Sequence, residues 1–227
     1  MGFNRFQKLG GICAIILGII YIVAFIIYGA VLEFPDADAI AIEKLKFLSD
    51  NYHILFITNF ISYVLFGMLL AVLVVSTHQR IKDHFPNFSQ LTSVFGIIWV
   101  GLVIASGMIS NIGLDSVITL GNTEPEKAMS IWSSISIVSE GLGGGNEIVG
   151  GIWVLLLSFL GSKKEIFSKP VNIQGFIVGL AGVLTVIPVN IFKEIFGLSQ
   201  IIWFISIGIF MIRKPLEDYK IRTKTIK

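Results

Sequence analysis

Charged residues interrupt this chain at intervals that leave six apolar or nearly uncharged runs, at 9–32, 54–76, 91–113, 141–161, 171–188 and 195–212. Each is close to the ~20 residues that a helix needs to span a bilayer. The runs lack the alternation of barrel strands, and lipid offers no partner to an unpaired backbone N–H or C=O, so the pattern predicts helices. The expected fold is an all-α, polytopic membrane helix bundle with six transmembrane helices. It forms a single domain over 1–214, followed by a polar cytoplasmic tail at 215–227.

Two polar stretches carry elements of their own. Over 36–50, Ala37, Ile40, Ala41, Leu45 and Leu48 recur at helical spacing after Pro35 and Asp36, predicting a short amphipathic outer helix that packs on the bundle rather than moving as a lid. Thr123-Glu124-Pro125-Glu126 has capping-box spacing and opens a helix that meets Gly141-Leu142-Gly143-Gly144-Gly145. A continuous helix over 129–161 would be roughly 50 Å long against a hydrocarbon core of ~30 Å, so it either protrudes or breaks at the glycines.

Composition agrees with the pattern: 54% of the 227 residues are hydrophobic and only 14% charged, outside the balance of soluble domains. The 23 glycines supply small residues that let helix backbones approach in lipid, as do the spacings Gly175-x-x-x-Gly179 and Ser106-x-x-x-Ser110. The N-terminal residues Arg5 and Lys8 precede an apolar run of 24 residues, a full span rather than a signal core, and Phe6 makes Gly2 a poor acylation site. With the N-terminus inside, 13 of the 17 Lys and Arg residues fall on the cytoplasmic side, leaving Lys44, Lys46, Lys127 and Lys193 outside. The positive-inside rule therefore places both termini in the cytoplasm.

Charge and motif content remove several function classes. The net charge is only +2 and its basic residues sit in short loops, giving no footprint for nucleic acid. The single cysteine, Cys13, excludes an intrachain disulfide. His53 falls at a helix start, and His78 and His84 in a loop over 77–90, too shallow for haem and more suited to the surface than to a metal. No HExxH, Walker A, GxSxG or paired aspartate motif occurs, so neither an enzyme activity nor a cofactor is expected.

What remains is one ionisable residue within the membrane. Glu147 lies ~9 Å inside its span, where a carboxylate is costly and is read as functional by default. Glu140, Gly144, Glu147 and Gly151 would share one face of a continuous helix. Asn59 and Gln200 are each ~8 Å deep and Asn111 ~3 Å, near the level of Glu147 and Asn146, whereas stretches such as 68–75 and 154–157 are apolar. The expected site is an outward-facing pocket for a small polar or cationic ligand, built from Glu147, Asn146, Asn59, Asn111, Gln200 and Glu140. The competing reading makes these groups ties between helices, each worth about 0.6–2 kcal/mol. Trp99, Trp153 and Trp203 are deeper than an interfacial belt and are expected to fill the core.

Three segments carry a resemblance: Gly143-Gly144-Gly145-Asn146-Glu147-Ile148-Val149-Gly150-Gly151-Ile152-Trp153, the stretch 175–188, and Gly197-Leu198-Ser199-Gln200-Ile201-Ile202-Trp203. Over roughly 8–214 the chain resembles bacterial six-span membrane proteins grouped as a domain of unknown function. The resemblance implies a bacterial inner membrane location and brings no substrate, cofactor or catalytic residue. The expected partners are the lipid bilayer, a small ligand and, as an option, a second copy of the chain. A small carrier or sensor is the first functional expectation, a structural or accessory subunit the second, and a membrane enzyme the third.

Overall fold

Nine α-helices, three of them extended by π-helical turns, make up the regular structure among the described residues, with no strand. This is a computed structural model, and it describes residues 3–144 and 147–214. In chain order the helices are α1 (Phe3–Ile26), α2 (Ala41–Asp50), α3 (Tyr52–Asn59), α4 (Phe66–Ile81), α5 (Pro86–Gly121), α6 (Pro125–Ser139), α7 (Ile148–Lys163), α8 (Lys169–Leu184) and α9 (Asn190–Arg213). The π-helical turns Ile27–Val31, Phe60–Leu65 and Glu140–Gly144 extend α1, join α3 to α4 and extend α6.

Five helical stretches are long and apolar enough to cross a membrane: Asn4–Val31, Tyr52–Ile81, Pro86–Gly121, Pro125–Lys163 and Asn190–Arg213. The fifth of the six expected segments gives α8, an apolar helix of only 16 residues, or about 24 Å. It stops short because Thr185 turns its hydroxyl back onto Gly182 O (2.7 Å) and the chain leaves the helix ahead of Pro188. Side-chain burial is inverted relative to a soluble protein. Ile112, Ile97 and Ile202 are 65%, 58% and 56% exposed, whereas Gln7, Ser76, Thr77 and Gln200 are wholly buried. Exposed apolar side chains together with buried hydrogen-bonding groups suit lipid as the surrounding solvent.

The chain divides into two compact units, one drawn from Met1–Ile19, Met68–Val100 and Asn146–Lys227, the other from Ile20–Gly67 and Gly101–Gly145. In the first unit, α1 meets α9 and α7 meets α8 through glycine. A Cβ on Gly11 would lie 2.8 Å from Gly208 O, and one on Gly151 would lie 2.7 Å from Val183 N and 2.8 Å from Gly179 O. Gln7 adds a bond from its Nε2 to Ser76 O (2.6 Å), tying α1 to α4. Arg80 is buried, donates to Lys214 O (2.9 Å) and lies over the Phe210 ring at 4.9 Å, so its charge is met by a carbonyl and a π face.

The second unit has its own apolar core of Leu32, Leu48, Leu55, Leu114, Val117 and Ala128. Here the amphipathic outer helix forms, but later than its start signal suggested. Asp36–Ala39 is a turn closed by Ala39 N–H donating to Asp36 O (3.0 Å), and Ile40 is extended (ψ 157°), so α2 begins at Ala41. Ala37 and Ile40 are consequently exposed, while Leu48 is buried and Leu45 lies against Gly121, as a packing helix requires. The capping box does not form either. Thr123 closes the end of α5 by bonding Leu120 O, and α6 starts at Pro125 with Glu124 as an N-cap that makes no side-chain capping bond, its carboxylate pairing with Lys127 instead (3.1 Å). The loop expected over 77–90 is also shorter, because α4 continues to Ile81 and Pro86 already opens α5. His78 therefore sits in the last turn of α4, with Nδ1 3.2 Å from Ser89 O.

Candidate functional site

Glu147 is placed by the break in the glycine stretch. After α6 the chain makes the π-helical turn Glu140–Gly144, within which Gly143 takes φ 135°, a conformation that L side chains rarely adopt. The single helix face expected to carry Glu140, Gly144, Glu147 and Gly151 is thereby interrupted, and Glu147 becomes the N-cap of α7 (φ −109°, ψ 25°). Its side chain is 8% exposed. Oε2 accepts a hydrogen bond from Trp99 Nε1 (2.8 Å), and its backbone N–H donates to Thr185 Oγ1 (2.8 Å). Gly150 permits this arrangement: a Cβ there would lie 2.5 Å from Trp99 Cε2, so the absence of a side chain lets the indole rest on the first turn of α7.

Around this tie the first unit builds an aromatic core. Trp99, Trp153 and Trp203 are buried, with ring centroids 5.8 Å apart for Trp99 and Trp153 and 5.7 Å for Trp153 and Trp203. Phe196 stands edge-on to Trp99 at 6.5 Å. On the same helix as Phe196 and Trp203, Gln200 is wholly buried, and neither of its amide atoms has a hydrogen-bond partner. The indole N–H groups of Trp153 and Trp203 are likewise without a partner. Burial without a protein bond is costly for such groups in a close-packed core.

The second unit contains a cavity of about 500 Å³. Its polar wall includes Asn59, Ser110, Ser139 and Glu140, and Tyr28 donates from its hydroxyl to Asn59 Oδ1 (2.7 Å). Ser139 is held by α5: Ser106 donates to Ser139 O (2.9 Å) and Ser110 to Ser139 Oγ (3.0 Å), so the Ser106-x-x-x-Ser110 spacing does join helices. Phe34, Phe47, Met129 and Trp132 form much of the apolar wall. Lys44, also in the lining, is anchored to Ala37 O (2.6 Å).

The expected site residues therefore fall in different places. Asn59 and Glu140 line the cavity of the second unit. Asn111 belongs to that unit too, but it donates to Phe56 O (3.1 Å) and ties α5 to α3. Glu147 and Gln200 lie in the first unit. Asn146 and the tail at 215–227 fall outside the described residues. Sequence reasoning missed Tyr28, Phe34, Phe47 and Trp132, which come from four segments and share no motif. Their only sequence signal is that each is an aromatic residue near a predicted outer end of a span or in an outer segment. Among the described residues, no group of three or more His, Cys, Asp or Glu side chains is arranged to hold a metal. No protein-family model, curated protein or solved structure matches the chain.

Proposed function

We propose that the protein is a six-span bacterial inner-membrane carrier or sensor with cytoplasmic termini, binding a small polar or cationic ligand in the outward-facing cavity of the second unit. The cavity carries this reading. Its volume lies in the range of small-molecule sites, roughly 300–1,000 Å³, and it combines an apolar wall with a few polar groups that can orient a ligand. The topology is supported by the segregation of Lys and Arg, with α8 as the sixth, short span, and the bacterial location by the family resemblance.

Two measurements test the two parts. A periplasmic reporter fused after Arg213 should be inactive, and one placed near Lys44 or Glu124 active; activity after Arg213 overturns the six-span topology. For the site, thermal stability in nanodiscs against a panel of ions and metabolites should reveal compounds that stabilise wild type. Ser136→Trp, which inserts an indole at the cavity wall, should abolish that response. Compounds that stabilise both proteins equally, or neither, overturn the cavity as the ligand site.

A second reading, a structural or accessory subunit without ligand chemistry, draws on Glu147. Its carboxylate and backbone N–H both join elements of the first unit, as a tie between helices would.

A further inference from the structure

We propose that this cavity selects an organic cation, an ammonium group carried on an apolar or aromatic body. The proposal rests on the reading of the cavity as the ligand site and narrows it to one chemical class. The first support is the lining. Five aromatic residues, Tyr28, Phe34, Phe47, Tyr63 and Trp132, line a volume of about 500 Å³, far more than a bare ion fills. Ring faces attract ammonium groups, most strongly where water is excluded, and they bury an apolar body with no hydrogen-bonding demand.

The second support is the sign of the charges. Asp36 and Glu140 line the cavity with Lys44 as their sole Lys or Arg counterpart in the lining, and the Lys44 ammonium is bonded to Ala37 O at 2.6 Å. An anionic ligand would thus meet two carboxylates and one ammonium already held by a carbonyl. The third support is a second depression of about 430 Å³ that shares Pro35 and Asp36 with the cavity and adds Asp38 and Glu43. Carboxylates in a depression beside the cavity concentrate cations locally and repel anions. The turn that delays α2 puts Asp36 and Asp38 there, and Glu43 follows in the first turn of the helix.

The test uses the full-length protein in nanodiscs and labelled phenyltrimethylammonium as the probe. Unlabelled competitors are the neutral isostere tert-butylbenzene and the anion benzenesulfonate. Wild type should bind the cation, with benzenesulfonate competing poorly and tert-butylbenzene at least about tenfold more weakly than the cation itself. Glu140→Gln, an isosteric change at an exposed position, should weaken cation binding about tenfold and leave tert-butylbenzene unchanged. Trp132→Ala should weaken both, and it serves as the second cavity variant if Ser136→Trp does not fold. Equal competition by the neutral or anionic probe, unchanged cation affinity in Glu140→Gln, or no cation binding by wild type overturns the cationic class. If Ser136→Trp still removes the stabilisation of wild type by some other compound, the cavity remains the ligand site. Cation binding that survives both Ser136→Trp and Trp132→Ala overturns the class and the cavity together.

Discussion

The two units solve helix packing differently. In the first, some glycines meet backbone at under 3 Å: Gly11 and Gly208 each face the other's carbonyl oxygen, and Gly151 faces the backbone of Gly179, Gly182 and Val183, while others, such as Gly10 and Gly175, receive the side chains of Ser76 and Ser158. In the second, glycines receive side chains, with Gly113 against Ile135, Gly121 against Leu45 and Gly107 against Tyr63. Backbone contact brings helix axes together and leaves room only for ring-on-ring packing, as among Trp99, Trp153 and Trp203. Side-chain contact holds axes further apart, and the second unit has an open cavity of about 500 Å³. Polar groups follow the same division. Glu147 is bonded to an indole within the aromatic core of the first unit, whereas Asn59, bonded to Tyr28, and Glu140 line the cavity of the second.

The largest expected effect breaks this contrast at its source. Gly151→Val would drive its Cβ to within 2.8 Å of Gly179 O and Gly182 C, atoms that cannot move without displacing α8, and should destabilise the protein by about 3 kcal/mol or prevent folding. Gly113→Ala meets only the Ile135 side chain, which can shift without moving backbone, so its cost should be about 1 kcal/mol, at the low end for overpacking. Reversible unfolding in mixed micelles compares the two. Equal losses would show that the units do not pack by different rules.

The apolar helices were legible because lipid would fix both their length and their backbone bonding, so charge-free runs translate into helices, although one of the six, α8, is shorter than a full span. Helix ends were less so. Asp36 and Thr123 are strong local signals, yet the Asp36–Ala39 turn and the bond from Thr123 to Leu120 O use those residues differently. Glu140 and Glu147 read as one helix face because spacing cannot register that Gly143 adopts φ 135°. The cavity was least legible. Asn59 and Glu140 were found by depth and charge, but Tyr28, Phe34, Phe47 and Trp132 meet only through tertiary packing.

A smaller effect is expected at Glu147, and it separates a tie from a titrating site. Glu147→Ala leaves the Trp99 indole N–H buried without its acceptor and should cost about 2 kcal/mol. Glu147→Gln keeps an acceptor oxygen at the same reach, so its loss should be under about 1 kcal/mol. Thermal unfolding of wild type and both variants, from mildly acidic to mildly alkaline pH, provides the measurement. Parallel curves for wild type and Gln assign Glu147 to helix tying. A wild-type curve that bends with pH where the Gln curve does not assigns it a proton-dependent role.

The smallest effect is expected at Gln200, and its sign matters more than its size. Its carboxamide is wholly buried, with no protein partner for either atom, between Phe196 and Trp203 on α9. Gln200→Met keeps a similar length and shape while removing two unsatisfied polar atoms, and methionine fills aromatic surroundings well. If the first unit is a packed core without ligand chemistry, this change should leave stability unaltered or raise it by up to about 2 kcal/mol. A ligand or ordered water bonded to the Gln200 amide reverses the sign, because methionine then strands that group as well. Unfolding free energies of wild type and Gln200→Met therefore decide whether the polar groups of the first unit are vestiges of packing or half of a second site. A loss above about 1 kcal/mol would erase the functional contrast between the units.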